Sequence, residues 1–297
     1  MTEPLVSVII NCYNSEKYLR ETIDSLIAQS YENWEAIFWD NCSTDKTSVI
    51  IASYNEPRFR YFLAERNTPL GEARNLAMDK VCGDYLCFLD SDDVWEKDFI
   101  ERGVNKLNAN PTLVGFYSNF YLWKDGIKRL FQQGVECKSM NLSDIIRAYK
   151  IGMSACMVNY QIIKDNRILF NNTYKLVEDF DFFIKIACYG NYFYDKIPLM
   201  SYRIYTDSNT FKHKDKWVEE YERIYAYFVE ALVKKEKRIR EEDLYEIKKK
   251  IIINSIQSNM FSGNRIKALS LSLQNITRIP IRWNIVNIIK IIIGRKL

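Results

Sequence analysis

The chain has 297 residues, and 47% of them are hydrophobic, which is enough to bury one large core or two smaller ones. Its 42 basic and 38 acidic residues leave a net charge of only +4, so the overall charge gives no indication of a nucleic-acid-binding protein. Seven cysteines form no CxxC pair, and their odd number leaves at least one outside any intramolecular bridge. We therefore expect a protein of the reducing cytoplasm.

The first third of the sequence predicts alternating strands and helices, which is typical of an α/β protein. Asn14 or Ser15 is a candidate cap for the first helix. The predicted strands are 6–10, 34–39, 60–63 and 85–89, and the predicted helices are 15–29, 47–54 and 70–80.

Two of these strands end in a carboxylate followed by a polar loop. Asp40 follows strand 34–39, and Asp90 follows strand 85–89. Because ligands of parallel sheets bind at the carboxyl ends of strands, this arrangement indicates a binding site.

The rest of the sequence predicts a mixed region and then a helical one. A hairpin joins strands 113–122 and 127–131 through Asp125-Gly126, a sequence typical of tight turns. Helices are predicted at 95–108, 142–149 and 177–189, and long charged helices over 214–268. We expect an N-terminal α/β domain at 1–212 and a helical extension at 213–297.

The acidic loop after strand 85–89 is the first candidate site. Asp90, Asp92 and Asp93 share a small volume, which is costly without a cation. Oxygen ligands suit Mg²⁺ or Mn²⁺, whereas a single histidine, His213, argues against a zinc site built on imidazoles. The alternative is a solvated acidic turn that caps a helix beginning near Trp95.

Six segments, taken in their order along the chain, resemble the inverting glycosyltransferases of family 2, which have the nucleotide-diphospho-sugar transferase fold called GT-A. The resemblance covers residues 5–205. The segments are VSVIINCYNSEKYL at 6–19, ETIDSLIAQ at 21–29, DNCSTDKT at 40–47, GEARN at 71–75, GDYLCFLDSDDVW at 83–95 and EDFD at 178–181.

The resemblance implies a nucleotide pocket lined by Asn11, Tyr13 and Asp40, with Asp40 bound to the base. Two alternatives stay open: Tyr13 packs beside the first helix, or Asp40 forms an Asx turn with its own backbone. Arg74 resembles the family arginine near the diphosphate. Its alternative is a surface salt bridge with Glu72 or Asp79.

For the reaction, the resemblance implies that Asp92 binds a divalent metal, Mn²⁺ or Mg²⁺, and that Asp90 contacts ribose or metal-bound water. Asp179 resembles the general base, with Glu178 as the second candidate. The structural alternative for this pair is an acidic first turn of a helix. A single displacement with inversion is implied, from a nucleotide-sugar donor, UDP by default, to a glycan or lipid-linked glycan acceptor.

Three positions depart from the family pattern. Asn11 stands where proline is frequent, Cys42 where glycine is frequent, and Tyr205 where a strand often ends in histidine near the diphosphate or metal. The last change leaves a metal or phosphate contact from this strand open. We expect Arg203 to hold the site through a buried hydrogen bond.

Two other functions remain possible from the sequence. A sugar-phosphate nucleotidyltransferase would carry a glycine-rich, basic loop after the first strand, and the loop 11–15 has neither glycine nor basic residue. A non-catalytic carbohydrate-binding relative would not need both Asp92 and Asp179.

The C-terminal residues 281–293 combine isoleucines and Trp283 with interspersed basic residues. A basic apolar helix of this kind can lie on an anionic membrane surface. We expect peripheral association with the inner face of the cell membrane, and docking on the preceding helices or a homodimer contact is an equal alternative. No segment reaches the roughly 18 to 20 apolar residues that span a bilayer, and residues 5–10 do not resemble a signal peptide.

Overall fold

The computed structural model describes residues 3–205, 217–233, 240–261, 263–275 and 277–278. The chain divides into two compact units, 1–206 and 207–297. The predicted membrane-surface helix at 281–293 lies outside the described residues.

Within the described residues, the first unit is built on one mixed sheet of ten strands. The order along the sheet is β3-β2-β1-β4-β9-β6-β10-β5, and β7 pairs with β6 while β8 pairs with β10. The strands are β1 Val6–Cys12, β2 Trp34–Asp40, β3 Phe59–Leu63, β4 Tyr85–Phe88, β5 Val94–Trp95, β6 Leu113–Lys124, β7 Ile127–Leu130, β8 Lys138–Met140, β9 Cys156–Asn159 and β10 Asn191–Arg203.

The N-terminal half of the sheet is parallel, and its register brings the predicted site residues to one edge. Cys12 at the end of β1 pairs with Asp40 at the end of β2, and Ile9 pairs with Phe88 near the end of β4. All four residues of β4 are buried, as expected of a strand covered on both faces. The loops that follow β1, β2 and β4 therefore leave the sheet side by side.

Helices flank this sheet, and the mixed α/β fold predicted from the sequence is confirmed. A 3₁₀ turn at Met153–Ala155 precedes β9, which runs antiparallel between β4 and β6. Strands β8 and β9 and helix α6 were not predicted. The helices of the first unit are α1 Leu19–Ile27, α2 Thr47–Ala52, α3 Leu70–Met78, α4 Phe99–Ala109, α5 Leu142–Arg147, α6 Tyr160–Asn166 and α7 Glu178–Ala187.

Two predicted helix starts were wrong. Helix α1 begins at Leu19, and neither Asn14 nor Ser15 caps it. The Asn14 side-chain oxygen instead accepts a hydrogen bond from the Thr44 N–H (2.8 Å), and the hydroxyls of Ser15 and Ser91 bond each other (2.8 Å). Helix α4 begins at Phe99, because Trp95 lies in β5 and pairs with Met200.

The hairpin predicted at Asp125-Gly126 is confirmed. Both residues have positive φ, 50° and 77°, which is the conformation that a tight two-residue turn needs. Lys124 of β6 pairs with Ile127 of β7 across this turn.

The described part of the second unit is helical, as its charged and apolar pattern predicts. It contains α8 Trp217–Val233, α9 Glu241–Phe261 and α10 Arg265–Gln274. Several of their apolar positions are buried, among them Ile224, Phe228 and Ile256. No helix among the described residues is long and apolar enough to cross a membrane.

Candidate active site

The acidic loop after β4 is held in place by Ser154, a residue of the 3₁₀ turn. The Ser154 hydroxyl donates to Oδ2 of Asp93 (2.7 Å) and accepts from the Asp90 backbone N–H (3.0 Å). Nothing in the sequence pattern marked Ser154, because it lies 61 residues from Asp93. One hydroxyl therefore fixes both ends of the acidic loop, at Asp90 and at Asp93.

Asp93 is a structural residue of this loop. It is 1% exposed, and its Oδ1 accepts from the Arg203 backbone N–H (3.1 Å). Burial, together with the charges of Asp92 and Asp90, raises the pKa of Asp93 well above its usual range. The predicted cap of a helix near Trp95 was wrong, because α4 starts after Asp98 and no side chain caps it.

Asp92 lies beside the end of β10. Its Oδ2 accepts a hydrogen bond from the Tyr205 hydroxyl (2.7 Å), and its backbone carbonyl accepts from Arg203 Nε (2.9 Å). The second bond is the one that we predicted for Arg203. Burial and the adjacent charge of Asp90 raise the pKa of the Asp92 carboxyl, so negative charge accumulates here at a cost that a cation would relieve.

Arg203 is itself enclosed. Its guanidinium lies 4.2 Å from the ring centre of Tyr18 and 4.0 Å from that of Trp123, and it pairs with Glu21 (2.9 Å). A cavity of 460 Å³ opens at this place, walled by these two rings, by Arg203 and Tyr205, and by the β6–β7 turn. Tyr205, which bonds Asp92 of the acidic loop, is thus also a wall of this cavity.

Arg74 joins the acidic loop to helix α7. Its guanidinium lies 3.2 Å from Oε1 of Glu178 and 3.3 Å from Oδ1 of Asp90, and its side chain is only 4% exposed. The predicted surface salt bridge with Glu72 or Asp79 was wrong, because Arg74 is buried and Glu72 pairs with Arg66. The contact of Arg74 with a diphosphate stays a prediction.

Asp179 lies next to Glu178 in the first turn of α7. Burial, followed by the adjacent charge of Glu178, raises the pKa of Asp179 to about 7. A carboxylate with such a pKa can accept a proton near neutral pH. Asp181, by contrast, is buried and forms an ion pair with Lys185 one turn later in the helix, so it is a structural residue of α7.

The carboxylate of Asp40 is buried and already has two partners. Its Oδ1 accepts from the Ser43 N–H (2.7 Å), as in the predicted turn, and its Oδ2 accepts from the Tyr61 hydroxyl (2.7 Å). Each carboxylate oxygen has a second lone pair, so these bonds leave acceptor capacity for a ligand. A contact between Asp40 and a base stays a prediction.

Asn11 is the penultimate residue of β1, and Tyr13 directly follows this strand. Nδ2 of Asn11 is a buried donor without a hydrogen-bond partner among the described residues, which an acceptor atom of a ligand would satisfy. The Tyr13 side chain is 57% exposed, so the alternative that it packs beside helix α1 was wrong. Cys42 in the neighbouring loop has a φ of 67°, a backbone conformation that favours glycine and explains the residue frequent there in the resembled family.

The residues present fit a hard divalent cation. The acidic loop offers carboxylate oxygens, and burial followed by the charge of Asp90 raises the pKa of Asp92. Across the described residues, no three Asp, Glu, His or Cys side chains are arranged as a complete metal cage. A cation would therefore complete its coordination with substrate oxygens and water, as Mg²⁺ commonly does.

Comparison with known proteins agrees with the fold and the order of the motifs. The profile of Glycosyl transferase family 2 matches residues 7–160, and the chain belongs to this family. The putative teichuronic acid biosynthesis glycosyltransferase TuaG of Bacillus subtilis is 36% identical over 126 residues, which cover 42% of this chain and 50% of TuaG. The match thus spans half the length of that relative. An uncharacterised glycosyltransferase of Rickettsia typhi is 29% identical over 239 residues, covering 78% of this chain and 74% of its own.

Solved structures show the same GT-A fold. TarS of S. aureus in complex with UDP-GlcNAc superimposes with a TM-score of 0.72 at 19% identity, covering 93% of this chain and 82% of that one. The mannosyltransferase PcManGT of Pyrobaculum calidifontis, in complex with GDP-Man and Mn²⁺, gives a TM-score of 0.61 at 15% identity, with coverages of 93% and 76%.

Proposed function

We propose that the protein transfers a sugar from a nucleoside diphosphate donor to an acceptor hydroxyl, with a divalent metal and with inversion at the anomeric carbon. The observation that carries this proposal is the bridge of Arg74 between Asp90 and Glu178. It places the acidic loop beside the first turn of α7, so a carboxylate that binds metal and a carboxylate that accepts a proton border one site.

Asp92 is the proposed metal ligand. A bound Mn²⁺ or Mg²⁺ would neutralise the negative charge that develops on the leaving diphosphate. Asp90 lies at the same loop with its side chain 36% exposed, and we assign it to ribose or metal-bound water. We assign Arg74, whose guanidinium bonds Asp90 of this loop, to the diphosphate.

Asp179 is the proposed general base. The acceptor hydroxyl loses its proton as its oxygen attacks the anomeric carbon, and Asp179 takes that proton. Its pKa of about 7 suits this step. Glu178 is the less suitable base, because its Oε1 is paired with Arg74. One base and one attacking hydroxyl correspond to a single displacement.

Asn11, Tyr13 and Asp40 form the proposed nucleotide pocket. The unpartnered Nδ2 of Asn11 and the exposed ring of Tyr13 support a ligand at the end of β1. The bond between Asp40 and Tyr61 fixes the carboxylate before a base arrives. We expect uridine as the base, by likeness to TarS, which was solved with UDP-GlcNAc.

The proposed donor is a UDP-hexose or UDP-N-acetylhexosamine, and the proposed acceptor is a surface glycan or a lipid-linked glycan reached from the cytoplasm. The name of TuaG, which refers to teichuronic acid biosynthesis, supports a cell-surface polymer. PcManGT was solved in complex with GDP-Man, so GDP-sugars should be tested as donors beside UDP-sugars.

A donor screen tests this function. Nucleoside diphosphate release is measured with Mn²⁺, Mg²⁺ or EDTA for the wild type, Asp92→Ala and Asp179→Asn. We expect metal-dependent release with the wild type and a loss on the order of 100-fold or more in each variant. The anomeric configuration of the product, read by NMR, tests inversion. Equal turnover in EDTA, or full activity in both variants, is incompatible with the mechanism.

A further inference from the structure

The end of β10 touches the acidic loop at three places. The Arg203 backbone N–H bonds the Asp93 carboxylate (3.1 Å), and Arg203 Nε bonds the Asp92 carbonyl (2.9 Å). Both contacts fix the course of the loop. The third contact, from the Tyr205 hydroxyl to Oδ2 of Asp92 (2.7 Å), is the one that reaches the carboxylate proposed to bind metal.

Tyr205 is part of a packed aromatic cluster. Its ring centre lies 5.7 Å from that of Tyr18, and the Tyr18 ring in turn contacts the Arg203 guanidinium (4.2 Å). The Trp123 ring also contacts this guanidinium (4.0 Å). A hydroxyl carried by such a cluster is held in position before any ligand binds.

A carboxylate has two oxygens, and a hydrogen-bond donor on one of them sets the plane in which the other is presented. Donors of this kind orient metal ligands and tune metal affinity. We propose that Tyr205 is a positioning residue for the metal: its hydroxyl keeps its bond to Oδ2 of Asp92 while the cation binds through Oδ1. This inference rests on the proposed metal site at Asp92.

The competing arrangement predicts the opposite change in metal affinity when the Tyr205 hydroxyl is removed. If the cation needed Oδ2, the Tyr205 hydroxyl would have to leave before metal could bind. Removal of the hydroxyl would then strengthen metal binding. A retained bond predicts that the same removal weakens it.

The experiment measures the dissociation constant of Mn²⁺ by electron paramagnetic resonance of the free ion, on the full chain with saturating UDP. For Tyr205→Phe, which keeps the ring, we expect binding on the order of 10- to 100-fold weaker than in the wild type. Tyr121→Phe is the matched control, because Tyr121 lies on β6 and its ring contacts Lys128. It should bind Mn²⁺ as the wild type does.

Near-UV circular dichroism in EDTA establishes that each variant is folded. Unchanged or tighter Mn²⁺ binding in Tyr205→Phe would overturn the inference. Asp92→Ala distinguishes failure of the Tyr205 inference from failure of the proposed metal site. Wild-type Mn²⁺ affinity in Asp92→Ala would refute the metal site at Asp92.

Discussion

Arg74 offers the sharpest stability prediction, because a single buried guanidinium serves two carboxylates. Arg74→Met keeps most of the side-chain volume and removes the charge. Breaking a buried ion pair on one side costs about 3–5 kcal/mol. Glu178 is only 12% exposed and would be left uncompensated, whereas Asp90 at 36% exposed can recover water. We therefore expect the low end of the range, about 3 kcal/mol.

For a unit of this size, such a loss lowers the melting temperature by about 6–12 °C, at roughly 2–4 °C per kcal/mol. The assay is thermal unfolding in EDTA followed by circular dichroism. Arg66→Met is the control, since the pair of Arg66 with Glu72 is exposed and should contribute at most about 1 kcal/mol.

A double-mutant cycle with Glu178→Gln isolates the pair itself. Because Glu178→Gln removes the charge that Arg74 balances, the double variant should be more stable than the sum of the single losses predicts, by about 1–3 kcal/mol. Strict additivity, or an Arg74→Met protein as stable as Arg66→Met, would refute the reasoning that this bridge is a buried, coupled pair.

Three further predictions concern the base, the turn after β2 and the start of β4. The value of kcat/KM should rise with pH through about 7 as Asp179 loses its proton. Glu178→Gln should move this rise to lower pH, because it removes a like charge beside Asp179. A flat pH profile would contradict the role of Asp179. Cys42→Gly should be more stable than Cys42→Ala by about 1 kcal/mol in urea unfolding, because φ is positive at this position. A Cys42→Ala protein more stable than Cys42→Gly would contradict this. Gly83→Ala should lose about 1–3 kcal/mol in the same assay, because the added Cβ would lie 2.6 Å from the Leu5 carbonyl oxygen, and wild-type stability would contradict this.

The parallel half of the sheet was predictable because its signals are local. A β-branched run marks β1, aromatic and aliphatic residues mark β2, and the fully apolar run of β4 marks a strand buried on both faces. Parallel pairing then places Asp40 and Asp90 at one edge. The position of these carboxylates therefore follows from the sequence.

The support of the acidic loop was not predictable in the same way. Ser154 and Tyr205 reach Asp93 and Asp92 across 61 and 113 residues. The path of β10 that delivers Tyr205 includes register shifts against β6, and no local periodicity encodes such shifts. The resemblance marked Tyr205 as a departure, but its partner became visible only in the fold.

The divided roles of Asp92 and Asp179 are tested most directly by equilibrium binding of UDP, measured by calorimetry with Mn²⁺ and with EDTA. The wild type should bind UDP more tightly with Mn²⁺. Asp92→Ala should lose this metal-dependent gain, and Asp179→Asn should keep it, because Asp179 acts on the acceptor proton. A gain that survives in Asp92→Ala, or disappears in Asp179→Asn, would contradict the assignment of metal and base.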